Sequence, residues 1–232
     1  MLYLLSNLDQ VTPSASRTFR QPLTRDRVLH AAVGLADREG LGALTMRRLG
    51  AELGVEAMSL YKHVASKGQI LDGIVELIVS QIEVPTGAAD WTQAMRQRAT
   101  SARQVLARHS WAIGLLESRT AMAPVTMGYL DAMLGTLRSQ GFSIEDAAHA
   151  LWLLDSYVYG HVVQETSLSA VRPAEPGNHI GSVNGATTEY PHLAELEQHA
   201  ARSAFSLDHE FAHGLDLILD ALERTVTSPP DR

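Results

Sequence analysis

From Thr24 onward the apolar residues recur at intervals of three and four, the spacing of one face of an α-helix. Val28, Ala32, Leu35 and Ala36 line the first such face. Thr24 stands where a side chain caps the first turn, and Gly40 ends the run. Thr45 caps a second, short helix that buries Leu49 and Leu53 and stops at Gly54. A tight turn then leads to a third helix over Ala57–His63, in which Leu60 and the following Val64 face inward. Ser66 and Gln69 are spaced as a capping box for a fourth helix, with Ile70, Ile74, Leu77 and Ile78 as its apolar stripe.

Beyond a break at Pro85-Thr-Gly-Ala-Ala, Asp90 caps a helix over roughly 91–108, and a shorter one follows at Trp111–Ser118. Pro124 opens another, which Gly141 ends, and Ser143 caps the longest, about 144–166, striped with Ala147, Leu151, Leu154 and Val158. Two more begin near 192 and 208. Residues 1–23 and 228–232 carry no period and are expected to be tails. Residues 169–190, rich in Pro, Gly, Ser, Asn and Thr, are expected to form a mobile loop. No run combines period two with β-branched enrichment, so the expected fold class is all-α with about ten helices.

Composition narrows the chemistry. The 232 residues contain no cysteine, which excludes a disulfide scaffold, thiol catalysis and cysteine-ligated metal. No stretch approaches the roughly 18 uninterrupted apolar residues of a membrane helix, so no membrane partner is expected and a cytoplasmic location is. Nineteen Lys and Arg against twenty-six Asp and Glu give a net charge of −7, which by itself argues against nucleic acid. The regional balance reverses that impression. Residues 1–72 carry nine bases against seven acids, and residues 73–232 carry the other ten bases against nineteen acids.

The second and third helices, joined through Gly54-Val55-Glu56, have the spacing of a helix-turn-helix, whose second helix enters the major groove of DNA. Ser59, Tyr61, Lys62 and His63 supply groups for bases and phosphates there. A plain helical hairpin produces a similar period, so spacing alone leaves both open. The wording is more specific. The run from Ala43 to Leu71, ALTMRRLGAELGVEAMSLYKHVASKGQIL, closely resembles the DNA-binding domain of the tetracycline-repressor (TetR) family, in the branch of the tetracycline repressors themselves. The resemblance is strong over residues 24–83. It continues more weakly through the segments 138–151 and 210–223.

That resemblance implies a helix-turn-helix DNA-binding domain at 24–83 and a ligand-binding and dimerisation domain at 84–227. Carried over position by position, DNA contacts fall on Thr45, Met46 and Arg47, on Ala57, Met58, Ser59, Tyr61, Lys62 and His63, and on Lys67 as a phosphate anchor. Arg47 suits bidentate reading of guanine, whereas Ala57 and Met58 depart toward apolar side chains and suit thymine methyls. The 144–166 helix and the last one, with Phe211, Leu215, Ile218 and Leu222 on one face, are expected to pair with a second copy as a four-helix interface, although ordinary core helices share this pattern. Ligand-binding candidates are Met95, Arg98, Trp111, Met122, Met127, Trp152, Tyr157 and His161, which together suit an apolar or aromatic effector. The family's magnesium-anchoring histidine falls near Leu116 and its drug-contacting asparagine near Arg98, so a tetracycline–magnesium chelate is not expected.

One competing motif remains. His209-Glu210-Phe211-Ala212-His213 fits the H-E-x-x-H signature of zinc hydrolases. The extended pattern fails, with Asp216 where a glycine belongs and Leu219 where a histidine belongs, and little chain is left to supply a third ligand. His209, His213, Asp216 and Asp220 share one face opposite Phe211 and Leu215, as solvated helical pairs do. The expected protein is therefore a homodimeric, ligand-responsive repressor of double-stranded operator DNA, with a small-molecule effector, no resident metal, no cofactor and no catalytic residues. A zinc hydrolase and a helical protein-interaction module are the alternatives.

Overall fold

The computed structural model describes residues 22–85, 90–118, 122–171, 190–202 and 206–227. The expected tails up to residue 21 and from 228, most of the break after Pro85 and the loop from 172 to 189 lie outside the described residues. Ten α-helices and no strand occur among them: α1 Arg25–Glu39, α2 Met46–Leu53, α3 Ala57–Leu60, α4 Lys67–Val79, α5 Trp91–Arg108, α6 Trp111–Ser118, α7 Pro124–Ser139, α8 Ile144–Val171, α9 Pro191–Arg202 and α10 Leu207–Thr227.

The caps do what their residue types dictate. Thr24 Oγ1 accepts from the Arg27 N–H at 3.2 Å, Thr45 Oγ1 from Arg48 at 3.1 Å and Ser66 Oγ from Gln69 at 3.2 Å. Each satisfies an orphan donor that an alanine would leave to water, a loss of about 1 kcal/mol. Gln69 completes the box one residue early, taking the N–H of Ala65 at 2.8 Å. Gly54 closes α2 in the left-handed region, φ 67° and ψ 34°, where a side chain would strain the backbone.

Two elements differ from expectation. α3 ends at Leu60, and residues 61–63 continue in tighter turns, with Tyr61 at ψ −12° and the His63 N–H on the Leu60 carbonyl at 2.9 Å. This winding seats both Leu60 and Val64 in the core, at 0% and 2% exposure, and still leaves Ser66 extended as the cap of α4. At the other end, α8 runs to Val171 rather than 166 and takes residues 169–171 out of the expected loop. No breaker occurs before Pro173, whose ring disfavours helix at the residue preceding it.

α1 packs on α2 and α4, and α2 on α3, around Val28, Leu35, Leu49, Leu60 and Ile74. α8 is the axis of the remaining helices and packs against α5, α7 and α10, while α4 reaches across to α6 and α7. The expected dimer stripe on α10 is corrected here. Phe211, Leu215 and Leu222 are buried within the chain, with Leu219 rather than Ile218 completing the face, because α10 lies on α8 and α5 of its own chain. Among the described residues of α8 and α10 a different apolar set is exposed, Ile144, Trp152, Leu153, Val163 and Leu217.

The seam between α5, α8 and α10 is pinned by polar groups. Arg103 holds Glu165 through two bonds of 2.9 Å and Asp208 at 2.7 Å, and its guanidinium lies 4.9 Å above the Phe211 ring. Tyr157 donates its hydroxyl to the Phe211 carbonyl at 2.9 Å and stacks on that ring at 5.4 Å. A Cβ at Gly214 would stand 2.3 Å from the Tyr157 oxygen. Gly214→Ala is thus expected to push α10 away from α8 and destabilise by about 1–3 kcal/mol, a loss of several degrees in a thermal melt. An unchanged midpoint would show that Tyr157 swings aside freely.

Candidate nucleic-acid interface and internal cavity

The N-terminal helices separate their basic residues into two groups. Arg48 grips Glu39 with Nε and Nη2, and Arg38 Nη2 reaches Glu52 at 2.6 Å, so these two arginines bolt α1 to α2. Arg47, Lys62 and Lys67 are exposed and have no ion-pair partner among the described residues. They lie on the segments before and after the short α3, whose Met58 is 72% exposed and whose flanking Tyr61 is 45% exposed. Met46, Ala57, Ser59 and His63 are half-buried at the same surface. Thr45 spends its hydroxyl on the cap of α2, accepting from the Arg48 N–H.

The turn that presents α3 depends on Gly50. It is buried, its carbonyl accepts the Val55 N–H at 2.9 Å, and a Cβ there would lie 2.8 Å from the Val55 oxygen and 3.1 Å from the Ala57 nitrogen. Only glycine lets the two helices approach this closely.

Beneath this surface lies a cavity of about 440 Å³. α4 contributes Asp72, Val75 and Val79, and α5 contributes Arg98 and Ala102. Leu116 and Glu117 come from α6, and Thr126, Tyr129, Leu130 and Leu134 from α7. α8 closes the space with Ala148, Leu151, Trp152, Asp155 and Tyr159, and Met122 stands at the edge. The walls are mainly apolar and the polar groups few, as in small-molecule sites.

The polar centre is Arg98, 2% exposed. Its Nε donates to the Tyr129 hydroxyl and its Nη2 to Asp155, while Nη1 is buried with no hydrogen-bond partner. Burial opposes its charge, but Asp155 and Tyr129 more than offset that, so the guanidinium stays protonated. Burial also raises the Tyr129 and Tyr159 phenols above their ordinary value, which keeps both neutral. Thr126 Oγ1 is a second buried polar atom without a partner.

Of the eight side chains expected at a ligand, three meet here: Arg98, Met122 and Trp152. Met95, one turn before Arg98 on α5, is fully buried in the core and does not line the cavity. Trp111 instead donates Nε1 to Asp37 at 2.7 Å, and His109 shares that carboxylate at 2.8 Å, tying α6 to the end of α1. Met127 is exposed on α7. Tyr157 and His161 lie on the α10 seam, His161 5.0 Å from the Phe211 ring, where burial and then Arg103 lower its pKa. Sequence reasoning missed Tyr129, Asp155, Thr126 and Tyr159. The one available signal was the carboxylate of Asp155 inside the apolar run of α8.

His209 and His213 stack on the outside of α10 at 6.5 Å, and His209 Nδ1 lies 3.6 Å from Glu210. Among the described residues no group of three His, Asp or Glu is placed to hold a metal ion. Asp216 is not merely solvated, since it pairs with Arg96 of α5.

An exposed basic surface around a tight helix-turn-helix, carried on a helix whose far half walls an apolar cavity, defines a DNA-binding regulator with an internal ligand site. Comparison with known proteins makes this specific. Residues 28–74 match the bacterial regulatory proteins of the tetR family, and residues 84–226 match the tetracyclin repressor-like C-terminal domain. The chain belongs to the TetR family, and it is a ligand-responsive transcriptional regulator. The transcriptional repressor DrrR1 of Streptomyces coeruleorubidus is 32% identical over 224 residues, covering 90% of this chain and 80% of its own. The class A tetracycline repressor from transposon 1721 in Escherichia coli is 30% identical over 208 residues, 87% of this chain and 91% of its own. ActR of Streptomyces coelicolor, solved in complex with actinorhodin, has a TM-score of 0.72 at 28% identity, covering 90% of this chain and 100% of ActR.

Proposed function

We propose that the protein is a homodimeric cytoplasmic repressor that holds a palindromic operator and releases it when a small, largely aromatic effector enters the 440 Å³ cavity. In this reading residues 24–83 form the DNA-binding domain and 84–227 the sensing and pairing domain. The observation that carries it is the course of α4. Its first residue, Lys67, stands at the basic surface, and Asp72, Val75 and Val79 farther along wall the cavity. A helix of 13 residues is a rod of roughly 20 Å. A ligand that displaces its far end therefore tilts the surface at its near end. The Asp37 link to His109 and Trp111 is a second connection, joining the end of α1 to the start of α6.

Dimerisation supplies the readout. Two copies must set their α3 segments about one DNA turn, roughly 34 Å, apart, so a small tilt breaks the match to both half-sites. The exposed Trp152, Leu153, Val163 and Leu217 are the apolar groups that support pairing. Lys62, His63 and Lys67 serve phosphates, Arg47 reads a base, and Met58 and Ala57 suit thymine methyls, with Ser59 and Tyr61 beside them.

The test is a gel shift with DNA from the region upstream of the protein's own gene. Sequence-selective binding that weakens steeply with salt is expected, and binding indifferent to sequence sinks the proposal. Arg47→Ala is expected to weaken the specific complex about tenfold to a hundredfold and to relax selection at one position per half-site, with the dimer unchanged in sedimentation. Dissociation into monomers would place Arg47 in the fold instead.

A further inference from the structure

We infer that the effector is a neutral or cationic ring system whose carbonyl-type oxygen accepts from Arg98 and whose donor or ammonium end turns toward the acidic rim. This rests on the cavity being the effector site. Arg98 and Thr126 line the cavity, and Arg98 Nη1 and Thr126 Oγ1 are buried without hydrogen-bond partners. A guanidinium only donates, so the group that satisfies Nη1 must be an acceptor oxygen or nitrogen. It need not be an anion, because Asp155 already balances the charge of Arg98.

Charge decides the remaining choice. Among the described lining residues Arg98 is the one base, against Asp72, Glu117 and Asp155. With Asp72 set aside, the acids still exceed the base by one. A ligand carboxylate would bring another negative charge into a site walled by Val75, Val79, Leu130 and Leu151, where like charges repel more than in water. A carbonyl meets Nη1 without that penalty. Glu117 is exposed while Arg98 is not, so the acceptor belongs at depth and a cation at the rim.

Binding of four probes to the full-length protein, followed by calorimetry, tests this. They are 2-(aminomethyl)anthraquinone, 2-methylanthraquinone, anthraquinone-2-carboxylate and 2-(aminomethyl)anthracene, the last of which lacks carbonyls. The cationic quinone is expected to bind at least tenfold tighter than both the carboxylate and the anthracene, and the neutral quinone to fall between. Arg98→Lys should erase the preference for carbonyls, and Glu117→Gln should weaken the preference for the amine while leaving the carbonyl preference intact. If Arg98→Lys fails to fold, the double variant Arg98→Met with Asp155→Leu replaces it, since both charges leave together. A carboxylate that binds as tightly as the amine, an anthracene that binds as tightly as the quinone, or no binding by any probe overturns the inference. Leu134→Trp, which fills the cavity, separates the two levels. Binding blocked by it but indifferent to carbonyl and charge overturns only the anchor, and binding unaffected by it overturns the cavity as the site.

Discussion

Replacing Arg98 with leucine is expected to destabilise the protein by about 3–5 kcal/mol, toward the lower end because the Asp155 side chain retains 23% exposure. The loss does not measure the worth of the ion pair. It is the cost of leaving a carboxylate half-sunk in an apolar cavity and the Tyr129 hydroxyl without its donor. In a chain of this size each kcal/mol moves the melting point by about 2–4 °C, so a drop on the order of ten degrees is expected in calorimetry. Adding Asp155→Leu should restore most of it, because an apolar pair can replace a buried ionic one at little loss. A single-variant loss below about 1 kcal/mol would mean that Asp155 turns to water once released.

Gly50→Val is expected to abolish operator recognition while the dimer persists. At 2.8 Å from the Val55 oxygen and 3.1 Å from the Ala57 nitrogen, even the first carbon of a side chain meets backbone, which cannot rotate away. The turn must open, and α3 moves relative to α2. Specific binding exceeds non-specific binding by about a thousandfold or more in such proteins, and that margin is what the variant should lose. Gel shifts would register it, and sedimentation together with probe binding should remain as in the parent. Retained operator affinity would show that the turn absorbs the clash, and the proposed orientation of α3 would then be wrong.

The helices were legible because their signals are local. Thr24, Thr45, Ser66 and Asp90 cap the elements that their spacing predicts, since a cap needs only a side-chain oxygen two or three residues from an orphan N–H. The helix-turn-helix was legible for the same reason, from two short helices joined through Gly54-Val55-Glu56 within one segment. The cavity was far less so. Met95 and Arg98 lie three positions apart on α5 and both are buried, yet only Arg98 meets the cavity. Tyr157 and Trp152 share α8 and face different surroundings, one the α10 seam and the other solvent at the rim of the cavity.

The sequence by itself determined an all-helical chain and a basic N-terminal segment within an acidic total, and its family resemblance supplied the residues proposed for the DNA face. Tertiary structure alone decided which arginines are free for DNA, because Arg48 finds Glu39 nine positions away and Arg38 finds Glu52 fourteen away. It also decided that the Phe211 stripe serves the chain's own core, and that Arg98 meets Tyr129 and Asp155, 31 and 57 positions distant. Periodicity reports which side of a helix is apolar. The partner of that side, and the partner of a buried charge, depend on how the helices cross.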